Sequence, residues 1–91
     1  MALLTADEIQ ERLDTLEGWD LRDKEIRKTY TTKDFVDSLA FVTKVAFLAE
    51  KANHHPDVLI QWNRVTLTLS THSEGGITNK DFKLAAQIEG I

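Results

Sequence analysis

Apolar residues recur along this chain at two spacings, the three-to-four of a helix and the two of a strand, and the switches between them mark out its elements. Thr5 opens a first helix, and Glu8 stands where a capping box needs it. Ile9, Leu13 and Leu16 then share one face, with Gly18 the expected stop. Trp19 to Asp23 and Glu25 to Thr31 read as a short hairpin turning at Asp23-Lys24. Trp19 and Leu21 share one phase, and so do Ile26, Lys28 and Tyr30, although the lysine interrupts the apolar pattern.

Thr32 is the expected N-cap of the longest helix, which should run to about Asn53. Phe35, Leu39, Val42, Ala46 and Ala49 form one apolar stripe, and Phe41, Val45, Leu48 and Ala52 form a second beside it. Together they cover about half the circumference, wider than the ~100° usual for a helix on a single core. Either this helix is sunk deeply in its own domain, or the second stripe meets another subunit. Pro56 closes the helical region, because the residue before a proline avoids the α conformation.

A second hairpin follows, from Val58 to Trp62 and from Val65 to Thr71, with its turn at Asn63-Arg64. Val65, Leu67, Leu69 and Thr71 alternate with Thr66, Thr68, Ser70 and His72, which puts His72 on the polar phase. After a Ser73-Glu74-Gly75-Gly76 loop, Thr78 caps the last helix with Asp81 at its third position. Ile77 and Phe82 bracket that cap as a hydrophobic staple, and Leu84, Ala85 and Ile88 face inward. The order α-β-β-α-β-β-α predicts an α+β fold: a four-stranded antiparallel sheet with helices packed on one face.

Length and composition narrow the function. A chain of 91 residues makes one domain, residues 1–91, with a modest core that oligomerisation would support. The net charge is −4 and no basic cluster occurs, which argues against nucleic acid as the direct ligand. There is no cysteine, so disulfides and thiolate zinc sites are excluded. Neither a leader pattern nor an apolar run long enough to span a bilayer is present, and a cytoplasmic, membrane-free protein is expected.

The candidate chemistry is concentrated in histidine. All three histidines fall in two short runs, Glu50-Lys51-Ala52-Asn53-His54-His55-Pro56 and Ser70-Thr71-His72. Histidine titrates nearest neutral pH and is suited to proton transfer. His54 and His55 on a helix would diverge by about 100°, which suits a substrate held from two sides better than a shared metal. A plainer reading makes them a helix C-cap before a proline. Glu50 precedes His54 by one helical turn and could orient it, or could be a solvated surface charge. Asp81 could polarise a histidine, or could serve only the cap. Trp19 and Trp62 could stack on a flat ligand, but short-strand aromatics are more often core or interface. No phosphate-cradling glycine loop, nucleophile elbow or dinucleotide fingerprint occurs, so histidines and carboxylates must run any chemistry without nucleophile, cofactor or metal. Elimination, hydration and isomerisation fit that description.

From Leu16 to Ile88 the sequence resembles the pterin-4a-carbinolamine dehydratases. The carriers are Glu17-Gly18-Trp19, Lys33-Asp34-Phe35, Ala49 to Asp57 with its Glu-Lys-x-x-His-His-Pro run, Trp62-Asn63-Arg64-Val65, Leu69-Ser70-Thr71-His72 and Gly76 to Asp81. The resemblance implies cofactor-free dehydration of a 4a-hydroxytetrahydropterin to the quinonoid dihydropterin, which recycles the cofactor of aromatic amino acid hydroxylases. It implies His54 and His72 as general acids and His55 as a binding group that can assist as base. It implies Asn53, His54, His55, Ser70, Thr71 and His72 as pterin-binding positions, with backbone groups of the second run reading the pterin edge. Glu50, Asp81 and Trp19 become supporting positions, and a homodimer or homotetramer is expected. Val58 stands where many relatives carry tryptophan, and Trp62 where many carry tyrosine, so substrate fit or subunit pairing can differ. Two alternatives to the enzyme are an oligomeric interaction module without a catalytic role and a small metal-binding protein.

Overall fold

The computed structural model describes residues 2–91. Helix α1 spans Ala6–Leu13, strands β1 and β2 span Asp20–Arg22 and Glu25–Thr31, and helix α2 spans Phe35–Ala52. Strands β3 and β4 cover Asp57–Gln61 and Arg64–Leu69; a 3₁₀ turn at His72–Glu74 precedes helix α3, Asn79–Glu89. The four strands form one sheet in the order β1-β2-β4-β3, antiparallel throughout. This is the α-β-β-α-β-β-α arrangement that the apolar spacing predicts.

Register puts Ile26 opposite Leu69, Lys28 opposite Leu67 and Tyr30 opposite Val65. Ile26, Val65, Leu67 and Leu69 are buried, and they meet Val45 and Ala49 of α2 and Leu84, Ala85 and Ile88 of α3 in one core. The other phase carries Thr29 opposite Thr66 and Arg27 opposite Thr68, a polar outer face. Lys28 keeps its inward phase because its ammonium is satisfied there. It bonds the Glu17 carbonyl and both carboxylate oxygens of Glu89 and lies 4.7 Å from the centre of the Tyr30 ring.

Helix α1 starts at the Thr5–Glu8 capping box, but it ends at Leu13, so Leu16 packs on the core from the following turn and Gly18 lies beyond the helix end. Helix α2 is capped by Asp34 rather than Thr32: Asp34 Oδ1 accepts from the Asp37 N–H at 2.8 Å. Thr32 is drawn elsewhere. Its hydroxyl meets Ser38 Oγ at 2.7 Å, and Ser38, fully buried, donates to the Trp62 carbonyl at 2.8 Å. The Thr32 N–H donates to the Asn63 carbonyl at 2.7 Å. This knot holds the second hairpin turn at Trp62-Asn63, one residue earlier than the sequence suggests, with Trp62 at φ 54° and largely exposed.

The two stripes of α2 are redistributed. Val45 is buried within this chain and Phe41 packs 4.7 Å from Tyr30, so the second stripe turns toward the chain's own core at these positions, while Leu48 is half-buried and Ala52 exposed. Among the first stripe only Ala49 is buried; Phe35 and Leu39 are exposed, as are Val36 and Phe47. Counting apolar positions misses this because Ser38, a polar residue, is the one that turns inward. No helix among the described residues is long and apolar enough to cross a membrane.

Candidate active site

The site begins where α2 stops. Asn53 adopts the left-handed conformation (φ 49°, ψ 44°), and its N–H returns to the Ala49 and Glu50 carbonyls. Asparagine tolerates this backbone better than most residues. The His54 N–H reaches back to the Ala49 carbonyl at 3.1 Å, which closes the helix end. His54 and His55 therefore lie in the extended link to β3, not on the helix, and the relation of Glu50 to His54 by one helical turn is lost. Glu50 instead meets His55, Oε2 to Nε2 at 2.5 Å, with both side chains exposed.

His54 turns inward to a different carboxylate. Its Nε2 lies 2.6 Å from Asp81 Oδ1, with the histidine side chain 11% exposed and the aspartate fully buried. Asp81 is doubly employed. Its Oδ2 accepts from the Thr78 N–H at 2.9 Å, as the capping box requires, and from the Thr71 hydroxyl at 2.9 Å. Thr71 Oγ1 also lies 2.8 Å from Thr78 Oγ1. A buried carboxylate is tolerated when its lone pairs are used, and here both oxygens are. The cap and the contact with His54 are thus one arrangement: a capping box occupies only one carboxylate oxygen and leaves the other to aim at a ring.

The chemical consequence lies in the tautomer. With Nε2–H donated to Asp81, Nδ1 is the nitrogen left to take and give a proton. The carboxylate fixes the ring plane and supplies a counter-charge when the ring is protonated.

The second run is held by the same knot. Strand β4 ends at Leu69, so His72 is not a strand residue; it begins the 3₁₀ turn, with its side chain exposed. Its neighbour Thr71 bonds Asp81, so His72 is one residue removed from the carboxylate that holds His54. The Thr71 backbone is committed within the loop. Its N–H donates to the Gly76 carbonyl at 2.8 Å, and its carbonyl accepts from Glu74 and Gly76. Ser70 is also occupied: its hydroxyl donates to the Lys24 carbonyl at 2.9 Å. Among this run, His72 is the side chain presented outward.

Trp19 stands apart. It is buried in the core, and its Nε1–H donates to Glu89 Oε2 at 3.3 Å. Glu89 lies about 12 Å along α3 from Asp81 by helical rise. Trp19 belongs to the cluster of Lys28, Tyr30 and Glu89, not to the histidine group. The residue that sequence reasoning read only as a cap is Thr78, whose N–H and hydroxyl fix Asp81 and Thr71.

A sequence model of the family described as pterin 4 alpha carbinolamine dehydratase matches residues 2–91. A Roseiflexus castenholzii protein with a provisional pterin-4-alpha-carbinolamine dehydratase name is 58% identical over 90 residues, covering 99% of this chain and 97% of its own length. A similarly named Sulfolobus acidocaldarius protein is 47% identical over 88 residues, covering 97% of each. Among solved structures, a transcriptional coactivator/pterin dehydratase from Brucella melitensis superposes with a TM-score of 0.92 at 39% identity, over 97% of this chain and 96% of that one. A pterin dehydratase-like protein described as a RuBisCO assembly factor of the alpha-carboxysome shares the fold, with a TM-score of 0.63 at 19% identity over 79% of this chain and 83% of that one. The chain belongs to the pterin-4-alpha-carbinolamine dehydratase family.

Proposed function

We propose that this protein is a hydro-lyase that converts a 4a-hydroxytetrahydropterin to the quinonoid dihydropterin and water, and so recycles the pterin spent by cytoplasmic aromatic amino acid hydroxylases. The observation that carries the reading is His54, gripped at Nε2 by the buried Asp81 and left with Nδ1 as its working nitrogen. Dehydration needs one proton delivered and one removed. Protonated His54 or His72 gives a proton to the C4a hydroxyl, the C–O bond breaks, and the lone pair of the adjacent ring nitrogen forms the new C=N bond. A proton then leaves the ring, taken by His55, whose partner Glu50 holds it. The two acids serve opposite faces of the ring, and Asn53, Ser70 and Thr71 shape the surrounding backbone.

The test generates 4a-hydroxytetrahydropterin in situ with an aromatic amino acid hydroxylase and follows its loss. The protein accelerates that loss, and the His54→Ala/His72→Ala double variant abolishes the acceleration. Each single variant falls less, because the other acid remains; a positioned acid is worth about 10²–10⁴-fold. No acceleration by folded protein rejects the enzyme.

A second reading rests on the exposed apolar stripe of α2, where Val36, Leu39 and Phe47 lie in line with Phe35 beside them. Such a stripe favours a homodimer or homotetramer. An interaction module working through this face would keep its biological role after the histidines are replaced, whereas the dehydratase would lose it.

A further inference from the structure

A cleft of about 780 Å³ opens beside His54, walled by the C-terminal ends of α1 and α2 and by one face of α3. Arg12 enters it from α1, Lys51 from α2, and Lys80 and Lys83 from α3; among the described residues no aspartate or glutamate lines it. This is unexpected in a chain with 15 acidic and 11 basic residues. The cations come from three separate helices, so the periodicity of any one helix does not explain their convergence. Among the described residues, Lys51, Lys80 and Lys83 have no carboxylate partner. A concave surface lined by one sign of charge focuses its field and concentrates counter-ions.

The rest of the lining is apolar or neutral. Leu16, Leu48, Phe82 and Leu84 form the floor, while Asn79 and Gln87 mark the two ends of the α3 wall. That wall is about 12 Å long by helical rise. His54 stands at the end where α2 stops and α3 begins, the end nearest the proposed chemistry. The cleft therefore extends from the working histidine along α3, with Lys51 and Lys80 at its His54 end and Lys83 about one turn further along.

We propose that this cleft is an anion subsite that holds a phosphate- or carboxylate-bearing side chain of the substrate, with the pterin ring at His54 and the charged group between Arg12, Lys51 and Lys83. This rests on the dehydratase reading for the identity of the ring, but the cationic cleft stands on its own geometry. It gives the enzyme a preference among reduced pterins: those with an anionic tail over those with a neutral one.

The test is direct binding, by pterin fluorescence, of 6-hydroxymethyl-7,8-dihydropterin, its pyrophosphate ester and 7,8-dihydrofolate. At low salt one or both anionic pterins bind about tenfold more tightly than the neutral alcohol, the sum of several exposed ion pairs. The advantage contracts at high salt. Lys51→Gln/Lys83→Gln removes most of it; both lysines are exposed, so folding is not at stake. Whichever anionic pterin leads identifies phosphate or carboxylate as the group received. Equal affinity for all three, or an advantage that survives the lysine replacements, overturns the subsite. Inorganic pyrophosphate alone separates the two readings. Its lysine-dependent binding, without binding of any pterin, supports the anion site and rejects the pterin ring.

Discussion

His54 and Asp81 are 27 positions apart in sequence yet lie 2.6 Å apart in space, Nε2 to Oδ1, at the junction where one helix ends and another begins. The carboxylate is spent twice, on the cap of α3 and on the histidine. Folding of the helix terminus and orientation of the ring therefore cannot be separated.

Replacing Asp81 by asparagine tests that coupling. Oδ2 accepts two hydrogen bonds, so the carboxamide oxygen must stay there and the amide NH₂ must face His54. Nε2 then becomes an acceptor, the single proton of the neutral ring moves from Nε2 to Nδ1, and the counter-charge is gone. Dehydratase turnover should fall by about 10²-fold or more, within the usual worth of a positioned acid. Stability should fall by about 1–3 kcal/mol as a charged hydrogen-bonded group is lost. Turnover and chemical denaturation measured on the same variant decide it: unchanged turnover would remove Asp81 from the mechanism.

The contrast between the two histidine partners shows what the sequence could and could not reveal. Element order, the capping boxes at Thr5 and Thr78 and the first hairpin turn were legible, because caps and turns are local chemistry. The pairing of Glu50 with His54 was not, since it assumed a helix that continued through a residue, Asn53, that ends it. The inward face of α2 is hidden from local pattern for a related reason. Ser38 is polar by composition but is buried against backbone carbonyls that only the folded hairpin supplies. Local pattern reports the period of an element, while tertiary hydrogen bonds decide its phase.

Ser38 accordingly carries a stability prediction. Ser38→Ala removes the hydroxyl that donates to the Trp62 carbonyl, in a part-buried setting, and leaves the Thr32 hydroxyl only the Asp34 and Asn63 carbonyls. The cost should be about 1–3 kcal/mol, a fall in Tm of roughly 4–8 °C for each kcal/mol in a domain this small. A thermal melt within a degree of the parent would mean that the knot contributes nothing net.

The exposed stripe of α2 gives a prediction of assembly. Phe47→Glu places a charge on a largely exposed position, so monomer folding should be untouched while any oligomer built on this face dissociates. Light scattering should report a lower mass, with circular dichroism unchanged. Phe41→Glu should instead unfold the chain, because that ring packs on Tyr30 inside it. A Phe47→Glu protein of unchanged mass would rule the stripe out as the interface.

Tyr30 offers the sharpest pH test, because it is the single tyrosine of the chain. Burial first, then its hydrogen bond to Glu89 and the charge of that carboxylate, push the phenol well above its ordinary range. For Glu89, burial alone would raise the carboxyl, but the hydrogen bonds from Tyr30 and Lys28 and the Lys28 charge outweigh it and hold the group below its usual 4.5. The signs are opposite. The raised phenol contributes stability that is complete below the unfolded value near 10 and is lost as pH climbs toward the folded one. The depressed carboxylate contributes stability that is present above about 4.5 and is lost as pH falls through its folded value. Phenolate absorbance should therefore stay low past pH ~10 and rise together with unfolding, rather than as a simple titration before it. Glu89→Gln removes the negative charge beside the phenol, so its absorbance should rise at lower pH, and the acid limb of the stability curve should flatten at the same time. A parent protein whose tyrosine ionises freely near pH ~10 while still folded would break the Tyr30–Glu89 link.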